Sequence, residues 1–403
     1  MPTTTMNTTK LGEDIFAAII PHLSPADALI FGATCSFLRT IAVRHAVRDV
    51  SFDSIKRLTK FSAFMLATPS RLVHLRRLTL GAGIVGFPIT IFSAVDPIDQ
   101  LVAQASKLEH LSVRCTELFV SFLTPLRDAI ASHAHITSLE LSSVGVITQG
   151  MILNLRCAPT LQELVLDERD YILTHLKSNT ILLPSLPSLR TLTLHNLTNI
   201  PLRATLASLM PALKTLRLRS LEFVDADPEP GEWWTALELI RGDIPTLVSL
   251  RIPRPVRSLT IDVTLENGEA WDPALLVEAL QRASPTCLTI GLQASFREPF
   301  WQTYASALPR LRYLRVIVEA SDPGEMHNCS DWLENIFGYR PQMEYEYDFL
   351  ERDVFSWWSR VEGSKGEDQN NDAGDSDNGG PDELQWQRCF VLPGEDGRFM
   401  SDY

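Results

Sequence analysis

The sequence predicts an α/β fold: an irregular solenoid with parallel strands on a concave face and helices on a convex face, preceded by a small helical domain. Two observations predict it. Residues 11–42 carry apolar residues at helical spacing. After them, the string Pro-x-Leu-x-x-Leu-x-apolar recurs, at 159–166, 187–194, 211–218, 245–252 and 309–316.

The N-terminal segment is predicted to form three helices. Four apolar residues recur at every fourth position and should form one helical stripe: Leu11, Ile15, Ile19 and Leu23. Ser24 is suited to cap a second helix, because Pro25 fits the first helical position and the charge of Asp27 is favoured in the first turn. A third helix is expected after Cys35.

The recurring string predicts short strands that stack. In 187–194, Leu192 and Leu194 alternate with Thr191 and Thr193, which is the period of a strand with one buried face. A unit of one strand and one helix cannot bury its own apolar face, so each unit must pack on the next. The equivalent leucines are Leu78, Leu111, Leu139, Leu164, Leu192 and Leu216, followed by Leu250 or Leu259, Leu288 or Ile290, and Leu314.

Two segments between strands carry further expectations. Residues 272–284 should form a helix whose apolar face holds Leu275, Leu276, Ala279 and Leu280. Residues 222–240 fit no repeat and are predicted to be an insertion. The third position after the last strand leucine holds Gly83, Thr116, Val144, Arg169, Leu197 or Leu221 rather than asparagine or cysteine, so no ladder of buried side-chain amides is expected.

These patterns divide the chain into four parts. Residues 10–48 form the helical domain, and residues 49–361 form the solenoid. Residues 362–383 are acidic, rich in glycine and nearly free of apolar residues, and are expected to be a disordered linker. Residues 384–403 regain apolar character and either dock on the solenoid or act as a short linear motif.

Composition excludes several function classes. The net charge of −13 argues against nucleic acid as the main partner. The uncharged stretch 78–95 contains glycines and a proline, which make it a poor membrane helix, and no secretory signal is evident, so a cytoplasmic or nuclear protein without membrane contact is expected. The six scattered cysteines have no zinc-site spacing, and neither a metal nor a cofactor is expected.

No motif predicts an enzyme. The sequence GAGIVG at 81–86 has the spacing of a dinucleotide-binding loop, but Pro88 and β-branched residues follow where a helix would have to begin, so a turn between repeats is the preferred interpretation. His133 and His135 lie without acids or cysteines beside them and are interpreted as part of a solvated loop. The chain is therefore expected to be non-catalytic.

The repeats, with their L-x-x-L-x-L core, resemble the leucine-rich repeat family. The N-terminal segment resembles the F-box, with Asp27 and eight other residues matching its pattern without a gap. Gly12 stands where the family usually has proline, and Leu38 where it usually has tryptophan. The resemblance implies that the following residues bind an adaptor: Leu11, Gly12, Asp14, Ile15, Ile19, Ile20, Leu23, Leu29, Cys35 and Leu38.

The combined resemblance to F-box/leucine-rich-repeat proteins implies a function. The first helices would bind the Skp adaptor of an SCF-type cullin-RING ubiquitin ligase, and the repeats would bind a protein substrate. The main alternative is a repeat-only interaction scaffold in which the helices cap the solenoid. A nucleotide-dependent enzyme built on 81–86 is a third hypothesis, tested by dinucleotide binding.

Strand residues that alternate with the buried leucines point away from the core and suggest a substrate face. The middle repeats present carboxylates, among them Glu140, Glu163 and Asp167. The later repeats present arginines, which suit an acidic or phosphorylated substrate: Arg217, Arg219, Arg251, Arg257 and Arg315. Two alternatives stay open: these charges only solvate the sheet, or the substrate binds the C-terminal half, where all eight tryptophans lie.

Overall fold

The structure is a computed structural model that forms two compact units. The N-terminal unit comprises Met1–Thr215 and Leu221–Ala236, and the C-terminal unit comprises Leu216–Ser220 and Leu237–Tyr403. Each is described by itself. The structure describes residues 8–34, 36–81, 96–168, 183–197, 203–221, 234–250, 252, 254–265, 273–293, 308–319, 344–350, 355–360 and 386–391.

The N-terminal unit begins with three helices and a 3-10 turn: α1 (Thr8–Ile19), the turn Ile20–His22, α2 (Pro25–Ala33) and α3 (Ser36–Ala46). The predicted start of α2 is confirmed, because the Asp27 N–H donates to Ser24 Oγ at 3.1 Å. The predicted stripe is wrong at its end. Pro21 cannot donate the next helical hydrogen bond, so α1 stops at Ile19 and Leu23 adopts an extended conformation.

Six parallel strands of the N-terminal unit follow one another in sequence order: β1 (Asp49–Phe52), β2 (Arg77–Leu80), β3 (His110–Val113), β4 (Ser138–Ser142), β5 (Glu163–Asp167) and β6 (Thr191–His195). The ladder pairs Leu78, Leu111, Leu139, Leu164 and Leu192 directly with one another. All five are fully buried. The predicted alignment of these leucines is confirmed.

The helices of this unit are α4 (Ile55–Leu66), α5 (Asp96–Gln104), α6 (Thr116–Phe122), α7 (Thr124–Ser132), α8 (Val146–Leu153) and α9 (Arg203–Leu209), with a 3-10 turn at Pro69–His74. α4 packs on α5, α5 on α7, and α7 on α8. Each repeat therefore buries its apolar face against its neighbours, as a stack of strand-and-helix units requires.

A backbone ladder spaces the strands where no side-chain amide ladder exists. The carbonyl of Arg76 accepts hydrogen bonds from the N–H groups of Glu109 and His110, at 2.9 and 3.0 Å. The carbonyl of Glu109 accepts the equivalent pair from Thr137 and Ser138. The same doubled hydrogen bond recurs at the carbonyls of Arg48, Thr137, Gln162 and Arg190.

A left-handed residue follows several strands and turns the chain away from the sheet. The φ angles are 55° at Cys115, 59° at Ser143 and 54° at Asn196, each four positions after the aligned leucine of its repeat. Ser220 of the C-terminal unit occupies the same position, with φ 52°. Small polar residues tolerate this conformation better than branched ones, which explains the residue types at this position.

The C-terminal unit contains β7 (Thr215–Arg219), whose first residue belongs to the N-terminal unit. It also contains a run of parallel strands: β8 (Leu239–Gly242), β9 (Ser258–Leu265), β10 (Cys287–Gln293), β11 (Tyr313–Glu319) and β12 (Glu344–Leu350). Its helices are α10 (Ile244–Leu250) and α11 (Pro273–Ala283). An antiparallel pair consists of β13 (Phe355–Arg360) and β14 (Trp386–Val391). The predicted helix at 272–284 is confirmed, with Leu276, Ala279 and Leu280 buried.

One predicted strand is wrong. Residues 245–252 carry the repeated string, but Ile244–Leu250 is the helix α10. The strand of this repeat lies earlier, at β8, which begins at the end of the segment interpreted as an insertion, and Ile240 pairs with Leu259. Asp243 explains the change, because its Oδ1 accepts the Thr246 N–H at 2.9 Å and begins a helix just before Pro245. The aligned leucines here are therefore Leu259, Leu288 and Leu314.

Together, the parallel strands, their in-register leucines and the intervening helices confirm the α/β leucine-rich-repeat fold class. Several expectations lie outside the described residues, namely those for 82–86, 222–233 and 362–383. The predicted domain boundaries stay predictions. Among the residues that the structure describes, no helix is long and apolar enough to cross a membrane.

Candidate functional site

The three N-terminal helices expose large apolar side chains despite having a core of their own. Ile15 and Ile19 of α1 are 52% and 44% exposed, and Leu29 and Ile30 of α2 are 47% and 68% exposed. Phe37 at the start of α3 is also exposed. We call these five residues the N-terminal apolar surface. Exposed clusters of large apolar side chains are typical of protein-binding surfaces.

A small core holds these helices together beneath that surface. Ile20, Ala28 and Ala42 are fully buried, and four partly buried residues pack against them: Phe16, Leu23, Phe31 and Ile41. The rings of Phe16 and Phe31 lie 5.7 Å apart between centroids. His45 Nε2 lies 3.1 Å from the Leu23 carbonyl oxygen and ties α3 to the turn after α1.

The structure divides the predicted adaptor-binding residues into two groups. Ile15, Ile19 and Leu29 are exposed, as is Asp14, whereas Ile20 and Leu38 are buried in the core. Leu38 thus takes a packing position where the F-box usually has tryptophan. Leu23 is partly buried. Cys35 and the side chain of Leu11 lie outside what the structure describes, and Gly12 has no side chain.

Sequence comparison with the F-box pattern missed Ile30 and Phe37. Both are apolar residues directly beside a predicted contact, and Ile30 is the most exposed apolar residue of the surface. The helical periodicity of α2 could have identified Ile30. Ala28 and Gly32 fill the buried face of that helix, so Ile30, two positions from each, must lie on the opposite side.

The predicted arginines lie in the C-terminal unit but do not form one strip. Arg217 and Arg219 are exposed on β7. Arg257 precedes β9, where its carbonyl accepts the N–H groups of Thr286 and Cys287. Arg315 is half-buried on β11 and lies opposite Glu346 of β12. Arg251 lies outside the described residues, directly after the helix α10 rather than in a strand.

The strands between β8 and β11 interrupt the row of arginines. Ser258, Thr260 and Asp262 lie at outward positions of β9, and Cys287 and Thr289 lie at those of β10. A residue missed by the sequence analysis, Arg241, lies on β8 beside β7, and its Nε donates to Asp262 Oδ1 at 2.5 Å. The basic group is therefore local, and we call Arg217, Arg219 and Arg241 the β7–β8 arginine cluster.

The outward face of the N-terminal unit carries a polar row across three strands. His110 Nδ1 lies 2.8 Å from Ser138 Oγ, and Ser138 Oγ donates to Glu163 Oε2 at 2.8 Å. Because the hydroxyl has a single proton and gives it to the carboxylate, His110 is the donor to Ser138. A catalytic histidine would instead accept the serine proton, so this arrangement orders the surface and does not activate a nucleophile.

The interpretation of His133 as part of a solvated loop is wrong. His133 is buried, with Nε2 3.1 Å from the Ala105 carbonyl oxygen and Nδ1 accepting the His135 N–H at 3.3 Å. Burial lowers the pKa of His133, although the hydrogen bond to Ala105 opposes this shift. The described residues include no group of three or more histidine, cysteine or acidic side chains placed to hold a metal ion.

The described cysteines have the properties of packing residues. Cys115 and Cys157 are buried and are not part of a disulfide. Burial raises the pKa of Cys157 to about 11 and also raises the pKa of the half-buried Cys287. A thiol with a raised pKa is a poor nucleophile at neutral pH, because the thiolate is the reactive form.

Comparison with known proteins gives fold neighbours only. No family model and no curated protein matches the chain. Among solved structures, it is similar to Rad7 in the yeast complex of Rad7 and Elc1, with 12% identity, a TM-score of 0.40, and coverage of 83% of this chain and 87% of that chain. It is also similar to the leucine-rich repeat-containing protein LegL7 from Legionella pneumophila, with 13% identity, a TM-score of 0.36, and coverage of 70% and 87%.

At these identities and TM-scores, neither neighbour carries an argument about function. The geometry of the chain itself defines its fold class, a leucine-rich-repeat fold.

Proposed function

We propose that this chain is the substrate receptor of an SCF-type ubiquitin ligase. The three N-terminal helices bind the Skp adaptor, and the repeats bind a protein substrate. The chain performs no chemistry of its own. It holds the substrate close to the ligase, so that transfer becomes effectively intramolecular.

The observation that supports this proposal is the N-terminal apolar surface. A helical cap with its own core could bury its large aliphatic residues against the first repeat. Here Ile15, Ile19 and Leu29 stay in solvent, at three positions that the F-box resemblance assigns to the adaptor. Burying an exposed isoleucine at an interface gains about 1.5–3 kcal/mol, so three such residues supply much of a stable contact.

The β7–β8 arginine cluster supports the second half of the proposal. Guanidinium groups recognise carboxylates and phosphates through paired hydrogen bonds. Arg217 and Arg219 are exposed on β7, and Arg241 lies on the neighbouring strand β8, where it is paired with Asp262. The substrate class that fits is therefore an acidic or phosphorylated segment.

A second candidate is a repeat-only scaffold, in which the three helices close the end of the sheet. It is favoured by α3, which packs on the first strand β1. The two candidates differ in what covers Ile15 and Ile19. A scaffold leaves them in water, whereas a receptor buries them in the adaptor.

Replacing Ile15 and Ile19 by alanine separates the candidates. Buried interface anchors cost about 2–4 kcal/mol each on truncation, so the double variant should bind the purified Skp adaptor at least 30-fold more weakly in calorimetry. The matched control is Phe122→Ala with Val146→Ala, since these residues are equally exposed but lie on α6 and α8. A folded Ile15/Ile19 variant with full adaptor affinity would contradict the receptor function.

A further inference from the structure

Strand β1 is an edge of the sheet among the strands that the structure describes. Of these strands only β2 pairs with it, in parallel. The carbonyl oxygens of Arg48 and Phe52 accept hydrogen bonds from the β2 side, from Arg77 N–H at 2.9 Å and Gly81 N–H at 2.7 Å. Because backbone groups alternate along a strand, Val50 also faces β2, and Asp49 and Ser51 face away from it.

The outward backbone groups of this edge have no partner in the part of the chain that the structure describes. No hydrogen bond reaches the N–H or C=O of Asp49 or Ser51. Both residues are exposed. Unpaired edges of this kind are usually shielded or used for pairing, because they present a template for another strand.

The open edge forms one wall of a groove. A cavity of about 980 Å³ is lined by all four residues of β1 and by side chains of the neighbouring helices. The helical walls include Leu29, Ala33, Arg39, Val43, Phe61 and Phe64. This volume falls within the range of pockets that hold specific ligands, and most of its lining is apolar. An edge strand inside an apolar groove has the two features that strand addition requires.

We propose that this groove binds an extended segment of a partner protein, which adds to the sheet as a strand beside β1. The backbone groups of Asp49 and Ser51 pair with the segment, and the groove takes its apolar side chains. This site is additional to the adaptor surface proposed above, with which it shares only Leu29.

The two faces of β1 define the chemistry of the segment. Val50 and Phe52 lie on the same face as the buried Leu78 and Leu80, and the Phe52 ring is 4.9 Å from the Phe61 ring. Side chains of the segment on this face should be apolar and recur at every second position. On the other face they lie beside Asp49 and Ser51.

The negative charge of Asp49 favours a basic residue at the neighbouring position of the added strand. The side chain of Asp49 is 62% exposed, and its one ion pair among the described residues is a distant contact of 3.8 Å with Arg77. A lysine or arginine in the added strand would lie directly next to this carboxylate, a favourable cross-strand pair. Arg39 lines the groove as well, so a basic residue is favoured only on the face that carries Asp49.

The test uses the full chain and a defined probe: an acetylated and amidated hexapeptide of alternating lysine and valine. It should bind, and amide exchange at Asp49 and Ser51 should slow in its presence. Ser51→Pro removes one outward N–H without touching the ladder to β2, and should weaken binding about tenfold. Ser51→Ala keeps that N–H and should bind as well as the unaltered chain.

Two further variants keep the test independent of Ser51→Pro, which could affect folding. Asp49→Lys should reverse the preference, so that a hexapeptide of glutamate and valine binds better than the lysine peptide. Phe64→Ser changes an exposed groove wall and should weaken both peptides.

N-methylation of the probe reports the strand direction. In an antiparallel arrangement the lysine amides face β1, so methylating them should abolish binding. In a parallel arrangement the valine amides face β1, so methylating those should abolish binding instead. One of the two methylated probes should keep full affinity. Equal binding of both would contradict pairing with β1.

Other occupants would appear as distinct results. Amides of Asp49 and Ser51 that are already protected in the free monomer would show that the chain covers its own edge. A concentration-dependent doubling of mass that Ser51→Pro abolishes would show that a second copy occupies it. Either result, or no binding of the lysine peptide with unchanged exchange at both amides, overturns the proposal.

Discussion

The two units stabilise a helix with a carboxylate in different ways. In the N-terminal unit, Glu117 is buried and reaches from one repeat to the next, where it accepts hydrogen bonds from the N–H groups of Gly145, Ile147 and Thr148, at 3.1, 2.9 and 2.9 Å. In the C-terminal unit, Asp243 is half-buried and caps its own helix α10. It also accepts the Ser220 N–H.

The difference shows how much each unit depends on contact between repeats. The side chain of Glu117 accepts four hydrogen bonds, including one from the Thr148 hydroxyl at 2.7 Å, and all four come from the next repeat. Asp243 combines a local cap with a single link to the preceding strand. The N-terminal unit should therefore lose more stability than the C-terminal unit when its carboxylate is removed.

Removal of Glu117 is expected to have the largest effect. Glu117→Ala leaves three backbone N–H groups at the start of α8 without an acceptor, and two of them, at Gly145 and Thr148, are buried. Each such group costs about 1–3 kcal/mol, so the free energy of unfolding should fall by about 3 kcal/mol or more in urea titration.

Gly145 provides the matched test of this contact. A Cβ at this position would lie 2.4 Å from Glu117 Cδ. Gly145→Ala should therefore be strongly destabilising alone but much milder in the Glu117→Ala background. Additive effects of the two substitutions would show that the carboxylate does not occupy this position.

Reversal of the β7–β8 arginine cluster tests the charge difference between the units. The outward face of the N-terminal unit carries Glu140, Glu163 and Asp167, whereas the cluster is basic. Arg217→Glu with Arg219→Glu should reduce substrate capture at least tenfold in affinity purification with the proteasome blocked, and leave adaptor binding intact. Glu140→Gln with Glu163→Gln is the control in the other unit. If only the control loses substrates, the substrate binds the acidic face.

Removal of Asp243 should have a smaller effect than removal of Glu117. Asp243→Ala deletes a helix cap that is partly open to water, which typically costs about 1–2 kcal/mol. Asp243→Asn keeps an acceptor and should recover most of that loss in the same urea titration. A loss as large as that of Glu117→Ala would contradict the comparison of the two caps.

The smallest effect concerns pH. The pKa of His133 lies below its ordinary value of 6.5, so the folded chain binds fewer protons than the unfolded chain. Above pH 6.5, His133 is neutral in both states and the free energy of unfolding is at its full value. As the pH falls from 6.5 through the folded pKa of His133, the unfolded chain takes up a proton first, so the free energy of unfolding decreases. The melting temperature should drop over this window, and His133→Gln should reduce the slope. If the melting temperature of His133→Gln depends on pH as strongly as that of the unaltered chain, other titrating groups cause the dependence.

The sequence predicts the repeats of the N-terminal unit well, because one pattern controls both burial and register there. Leu78 through Leu192 are paired as their spacing indicates. The same pattern misleads at 245–252. Its leucines, Leu247 and Leu250, are buried as a strand would bury them, but they lie on a helix that Asp243 begins. A short apolar motif does not distinguish the two-residue period of a strand from the 3.6-residue period of a helix unless its flanking residues are considered.

The interaction surfaces were less predictable than the fold. Spacing identified Ile15 and Ile19, and the F-box resemblance added Leu29. Neither could show that Ile20 and Leu38 pack inward, since this depends on how three helices cross. The dispersal of the arginines and the open edge of β1 depend on which strands are neighbours. Neither property is encoded in a local pattern.

The most direct test of the receptor function is an exchange footprint of the full chain with the purified Skp adaptor. The account predicts a one-to-one complex in which amide exchange slows in α1 and α2, around Ile15, Ile19 and Leu29, and is unchanged at β7 and β8. Absence of a complex at high micromolar concentrations, or a footprint on the repeats that leaves α1 and α2 unprotected, would contradict it.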